Sequence, residues 1–289
     1  MRVAQPGLIL KKEDTTVVRH QVTFLASFAF VVCAPSLHAQ FDLFVAQVAD
    51  GAGFFSQIAV NNPGSGDVSC TFSTFDDAGN PLELVYDSGS PAAVSRVRRT
   101  KPLASATAPA SSINISIPPG ATALVSTSGQ GDGTSTALAG SGELNCSAFV
   151  IGGVTYWYAR GSDVLTGIGV PAVNTTTAFR VDGGNRATGF AFYNPSQANT
   201  LQLTVEAFDG STGAMAGSVH IAIPPNGHIA FNAGDKISLA SDFFGSFRVP
   251  SNGQQFVPLA LGVADTNSNV GGFLLFSIPS FSGQIVGID

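Results

Sequence analysis

Two histidines lie beyond residue 39, His220 and His228, and both fall in one short run, VHIAIPPNGHIAF (219–231). Two imidazoles within reach of one another, with a carboxylate such as Asp209 nearby, are the raw material of a metal site or of acid–base chemistry. If the paired prolines close a hairpin, the two rings become diagonal neighbours on its outer face. An earlier run, INISIPPGATALV (113–125), carries Asn114 and Thr122 at the matching places. Ordinary polar residues serve there, so two solvated histidines on a strand face are the plainer expectation, and no metal is assigned.

Other chemistry has less to stand on. The sequence contains no G-x-S-x-G, no H-E-x-x-H and no glycine-rich phosphate loop. The run DTNSN (265–269) has the flavour of a calcium loop, but Val270 stands where an EF-hand needs glycine and no glutamate follows at the twelfth place. It reads as a turn. Neither a catalytic residue nor a cofactor is assigned, and the chain is not expected to be an enzyme.

Two stretches remain as binding candidates. RVRRTK (96–101) concentrates Arg96, Arg98, Arg99 and Lys101, a cluster able to dock on anionic glycans or envelope lipids, or simply to keep a loop solvated. In YWY (156–158), Trp157 aligns with Leu259 of the alternating series Val257, Leu259, Leu261 and is expected in a core. Tyr156 and Tyr158 then stand on the opposite face, as a platform for sugar rings or a partner, or as cross-strand packing between halves. A register slip of one residue would exchange the faces.

The elements that must position these residues are strands. The IPP runs alternate apolar and polar residues before the prolines and again after them, and no stretch keeps a helical period, although GDKISLASDFFG (234–245) allows a helical turn or two. The phrases recur in order. VNNPGSGDVSCTFSTFDDAGN (60–80) lines up with FYNPSQANTLQLTVEAFDGSTG (192–213), and an IPP run follows each. FDDAGN and FDGSTG read as hairpin tips. The expectation is an all-β chain of two tandem antiparallel β-sandwich (Ig-like) domains, 40–171 and 172–289, each long enough for its own core. Residues Ser88–Ser112, rich in Ser, Ala and Pro, read as an inserted surface loop.

Residues 1–39 read as a signal peptide: Lys11, Lys12 and Arg19 precede the apolar VTFLASFAFVVCA (22–34), and SLHA offers cleavage before Gln40. That predicts a secreted, periplasmic or cell-surface protein with no membrane span afterwards. Removing this segment takes away four cations and two carboxylates, leaving 9 Lys+Arg against 17 Asp+Glu and a net charge of −8. Such a surface repels phosphate backbones, so nucleic acid is excluded as a partner. Cys70 and Cys146 remain, an even pair in an oxidising compartment, and are expected to be joined.

The runs PPNGHIAF, FGSFRV and VPLALGV resemble a pattern in secreted bacterial proteins built from paired Ig-like β-sandwich repeats. The resemblance covers most of the second copy and the first more loosely, where PPGATALV and GELNCSAF lack its His and Arg. It implies fold and secretion and no reaction. Three function classes follow: a secreted or surface-exposed non-catalytic binding or structural module, whose partner is an extracellular glycan or another surface protein; a carbohydrate-binding accessory domain of a polysaccharide-degrading system; and a hydrolase of unrecognised type. The first accounts for most of the sequence.

Overall fold

Runs such as VSCTFSTF (68–75) and LQLTVEAFD (201–209) alternate buried and outward residues, the period of a strand with one face in a core. A computed structural model of the protein is built almost wholly from such runs. It describes residues 40–87, 108–129, 136–160, 163–250, 252–266, 272–277 and 280–282, all within one compact unit. The expected signal peptide, the cations of 96–101 and the centre of the DTNSN turn lie outside the described residues.

In chain order the strands of the first half are β1 (Phe41–Asp50), β2 (Phe54–Asn61), β3 (Val68–Phe75), β4 (Tyr86–Asp87) and β5 (Ser112–Ile117). They continue with β6 (Thr122–Thr127), β7 (Leu138–Cys146), β8 (Ile151–Arg160) and β9 (Asp163–Pro171). The second half supplies β10 (Phe179–Asn185), β11 (Gly189–Tyr193), β12 (Leu201–Asp209), β13 (Met215–Ile223) and β14 (His228–Asn232). After a single helical turn, α1 (Ala233–Lys236), come β15 (Phe244–Val249), β16 (Val257–Thr266), β17 (Gly272–Ser277) and β18 (Ser280–Ser282).

These strands form four antiparallel sheets. The first half has a front sheet β1-β7-β3-β5 and a back sheet β4-β6-β2-β8-β9. The second half has β18-β10-β15-β12-β13 in front and β14-β11-β16-β17 behind. Each pair of sheets closes on its own buried core. Phe72, Ile117, Leu144, Val154 and Tyr156 lie in the first core, and Val181, Phe192, Val205, Phe247 and Phe256 in the second.

Cys70 and Cys146 are bonded, and they are direct cross-strand partners of β3 and β7. The bridge thus staples neighbouring strands of one sheet, whereas an antibody domain's bridge ties its two sheets together. Closing a span of 76 residues contributes about 4 kcal/mol on the chain-entropy account.

The IPP runs are not hairpins, which corrects the expectation. β5 lies in the front sheet and β6 in the back, and β13 and β14 are divided in the same way, so each Pro-Pro turn carries the chain across the sandwich. The turn is closed by Ala121 N–H on the Pro118 carbonyl, 3.1 Å, and by Gly227 N–H on the Pro224 carbonyl, 2.9 Å. Its third residue is left-handed in both cases, Gly120 at φ 67° and Asn226 at φ 55°, the two residue types that tolerate this best.

The recurrence of the Asn-Pro phrase has the same cause. Asn62 and Asn194 are buried at the ends of β2 and β11. Each amide reaches the end of the crossing strand: Asn62 Nδ2 donates to the Ile117 carbonyl at 2.9 Å, and Asn194 Nδ2 to that of Ile223 at 3.0 Å. Each Oδ1 accepts a backbone N–H two residues on, from Gly64 or Ser196. One side chain therefore closes a loop and pins the crossover, which no shorter or apolar residue can do. FDGSTG tips the β12–β13 hairpin as expected, whereas FDDAGN closes a tight turn at the Phe75–Pro81 bridge before the chain passes to β4 in the back sheet, and Asp76 and Asp209 accept backbone N–H groups of their own loops.

The halves meet through a third apolar cluster. Ala46 of β1 packs with Ala191, Tyr193 and Val257, flanked by Phe44, Phe75, Val173 and Leu259. The front sheet of the first half thus meets the back sheet of the second. The connection between halves is bonded in place, with Val173 bridging Phe44 and Thr176 bridging Phe256. At the end of Ser88–Ser112 the chain is also structured: Ala110 pairs with Leu84 and β5 begins at Ser112, so the inserted segment is shorter than expected.

Candidate functional site

The two histidines do not converge. His220 is exposed on the front sheet, where Nδ1 meets Thr204 Oγ1 at 2.9 Å. His228 is buried at the seam, against the first half, with Nδ1 2.7 Å from Asp77 Oδ1 and Nε2 2.9 Å from Gln47 Oε1. The hairpin premise placed them on one face, and the crossover puts them in different sheets. Among the described residues no group of three His, Cys, Asp or Glu side chains is arranged to hold a metal ion. Asp209, the carboxylate considered beside them, is occupied in its turn. Ser211 and Thr212 each donate a backbone N–H and a hydroxyl to its Oδ1, at 2.6–3.0 Å, and those bonds hold its carboxyl down at about 2.

The tyrosine platform is corrected as well. Tyr156 faces the first core at 3% exposure, its hydroxyl donating to the Gln47 carbonyl at 2.6 Å, and burial pushes its ionisation well above the usual range. Tyr158 is half-buried on the same side, its ring 5.0 Å from Phe54. Trp157 points the other way, stacked on Phe55 and lying over Gly167. The error has a physical source. Ile151 stands opposite Asn61 in β8 and β2, as Val257 stands opposite Tyr193 in β16 and β11, so Trp157 corresponds to Val263. The series Val257, Leu259, Leu261 is apolar because it faces the seam, where Leu259 and Leu261 pack towards the first core. Ala260, on the other face, fills the second core.

What the fold does build is a cleft of about 680 Å³ beside this seam. Its walls come from both halves: Gln40 to Phe44 at the start of β1, Asn174 and Thr175 of the connection, and Asn194 to Leu201 with Gln254 and Gln255 of the second half. The buried Asn194 and its turn set one wall. Thr175 Oγ1 donates to Gln255 Oε1 at 2.9 Å, and Gln254 receives Gln202 N–H at 2.9 Å while its Nε2 reaches the Thr200 carbonyl, so these loops are tied to the sheets. Comparison with protein-family models, curated proteins and solved structures gives no match.

The chemistry of the cleft must therefore be read from its lining. Among the described residues the lining holds six carboxamides, Gln40, Asn174, Asn194, Asn199, Gln254 and Gln255, one carboxylate, Asp42, and no Lys, Arg or His. The buried Asn194 amide is spent on backbone groups and Gln254 is bonded at both ends, so Gln40, Asn174, Asn199 and Gln255 are the ones that face a ligand. Asp42 Oδ1 accepts from Asn145 Nδ2 at 2.8 Å. Behind it, Glu143 is partly buried in β7, and burial, with the Asp42 charge as a smaller cause, raises its carboxyl above the usual range. Among the described residues, the one formal charge lining the cleft is that of Asp42.

Two aromatics complete the site. Phe44 leans on the buried Tyr193 at 6.0 Å, and Phe41 meets the exposed Phe149 edge-on at 5.0 Å. Phe149 also borders a second, smaller hollow of about 360 Å³, formed by the loop from Asn62 to Val68. None of these residues was singled out in the sequence. The only signal was compositional, in the amide-rich runs VNTTT (173–177), NPSQANT (194–200) and SNGQQF (251–256), which are far apart in the chain.

Proposed function

We propose that this chain is a secreted or cell-surface recognition protein made of two copies of one Ig-like β-sandwich, exported by the signal at 1–39, which binds its ligand in the cleft between the copies without transforming it. The matching strand orders support the duplication: β1-β7-β3-β5 corresponds to β10-β15-β12-β13, and β6-β2-β8-β9 to β14-β11-β16-β17. The observation that carries the binding reading is the lining itself. Carboxamides from four separate segments converge on one concavity, where Gln254 is held by Gln202 of β12 and Gln255 by Thr175 of the connection. Carboxamides both donate and accept, and they orient a polar ligand without reacting with it.

General acid–base hydrolysis wants two titratable groups facing the same bond, and this lining offers Asp42 alone. Ser196 Oγ accepts from Asn199 N–H and has no base beside it in the lining. The partner classes are an extracellular glycan or another surface protein. Nucleic acid is disfavoured by the net charge of −8 left after residue 39.

The test is a binding screen of the purified protein against immobilised glycans and a panel of envelope proteins, repeated with the double variant Asn174→Ala/Gln255→Ala. Both side chains are exposed, so the fold survives the change. A ligand held by the native chain and lost by the variant supports the cleft. A ligand held equally by both places recognition elsewhere.

A further inference from the structure

Resting on that reading of the cleft, we propose that its ligand is an electrically neutral oligosaccharide, long enough to run from the cleft across the Phe41–Phe149 pair into the hollow beside Asn62–Val68. Three observations converge on it. The lining matches hydroxyl-rich ligands, because each sugar hydroxyl is a donor and an acceptor, the Gln40, Asn174 and Asn199 carboxamides offer both in one plane, and Gln255 adds its donor. The charge disfavours acidic sugars and phosphates: among the described residues no cation lines the cleft, while Asp42 stands on its wall and Glu143 behind it. The aromatic pair joins the two concavities, since Phe41 lines the first, Phe149 the second, and their rings are 5.0 Å apart.

Phe149 is 57% exposed in the β7–β8 connection, and its ring, fixed edge-on against Phe41, leaves apolar surface that a sugar can cover. The C–H face of a pyranose suits it, being apolar on the ring and polar at the rim, with amides on the cleft side and Ser65 and Asp67 on the side of the second hollow. An extended peptide is the competing occupant, and the backbone argues against it. The edge of β1 that faces the cleft is already paired there: Phe44 N–H donates to the Val173 carbonyl at 2.8 Å and receives Val173 N–H at 2.9 Å. A peptide therefore finds no open strand edge to extend at this point.

Calorimetry on the purified protein tests the inference with neutral gluco-, xylo- and manno-oligosaccharides, as di- and hexasaccharides, beside a galacturonate hexamer and mixed casein peptides. At least one neutral hexasaccharide should bind at least tenfold more tightly than its disaccharide. Asn174→Ala/Gln255→Ala should weaken both at least tenfold. Phe149→Ala should erase the advantage of length and leave disaccharide binding unchanged. Thermal melts confirm that each variant is folded. Binding of the galacturonate or the peptides, sensitive to Asn174→Ala/Gln255→Ala and without binding of any neutral sugar, overturns the assignment of a neutral oligosaccharide and leaves the cleft reading standing. Neutral sugar binding that ignores the double variant overturns both. No neutral sugar binding at millimolar concentration overturns the glycan assignment.

Discussion

The ring of His228 lies 2.7 Å from the Asp77 carboxylate, across the seam and 151 residues along the chain. It ties the second crossover turn to the tip of the first half's FDDAGN turn. Nearby, a Cβ on Gly79 would come within 2.0 Å of the Pro225 carbonyl oxygen, so the two turns are in close contact. His228→Ala leaves Gln47 and Asp77 without their partner and should lower stability by about 1–3 kcal/mol. Asp77→Ala should cost less, because that carboxylate is solvated. A double-mutant cycle by urea denaturation measures the coupling, and a coupling near zero would mean that the contact does not hold the halves together.

Asn194→Ala should be among the most damaging polar substitutions in the chain. The amide donates to the carbonyls of Asn199, Ile223 and Pro224, and its removal strands at least two of them out of water. A loss of about 2–4 kcal/mol is expected, and a similar one for Asn62→Ala. Equilibrium unfolding of the two variants checks this. Losses below 0.5 kcal/mol would show that the crossovers are held by packing alone.

Tyr156 and Tyr158 should separate cleanly. Tyr156→Ala opens a hole in the first core and should cost about 3–5 kcal/mol, while Tyr156→Phe loses mainly the bond to Gln47 and should cost about 1. Tyr158→Ala, half-buried beside Phe54, should cost clearly less than Tyr156→Ala. Equal losses at the two positions would contradict the register of β8 against β2.

Acid should reach the FDGSTG turn late. The Asp209 carboxyl is lowered from 3.8 to about 2 by the hydroxyl and backbone donors of Ser211 and Thr212. Its contribution is therefore fully present above pH 3.8 and is lost as pH falls through about 2. Asp209→Asn should melt lower than the native chain at neutral pH, with the two curves converging as pH approaches 2. A gap that stays constant down to pH 2 would mean that the charge plays no part.

Much of this was legible locally. The alternating runs, the Asp-led turns and the single helical turn follow from near-neighbour chemistry, and the Cys70–Cys146 bond from the two cysteines left beyond residue 39. The failures come from relations a local run does not carry: a turn that crosses between sheets reads like a hairpin, and a strand's two faces look alike once both are covered. Val257, Leu259 and Leu261 read as core, and they cover the seam instead. His228 matches the polar Thr122 of the first half, and only the docking of the other half buries it. The same limit hid the cleft, whose walls come from loops that the sequence keeps 80 residues apart at Thr175 and Gln255.

Mapping of amide resonances on isotopically labelled protein tests the central claim most directly, with titration of the tightest-binding neutral hexasaccharide followed at residue level. Recognition in the cleft predicts shifts at the side-chain amides of Asn174, Asn199, Gln254 and Gln255 and along Phe41 to Phe44, with Phe149 following at the far end. Shifts confined to the outer face around Trp157, or to the front sheet around Arg180 and Arg248, would contradict it and place the binding surface elsewhere.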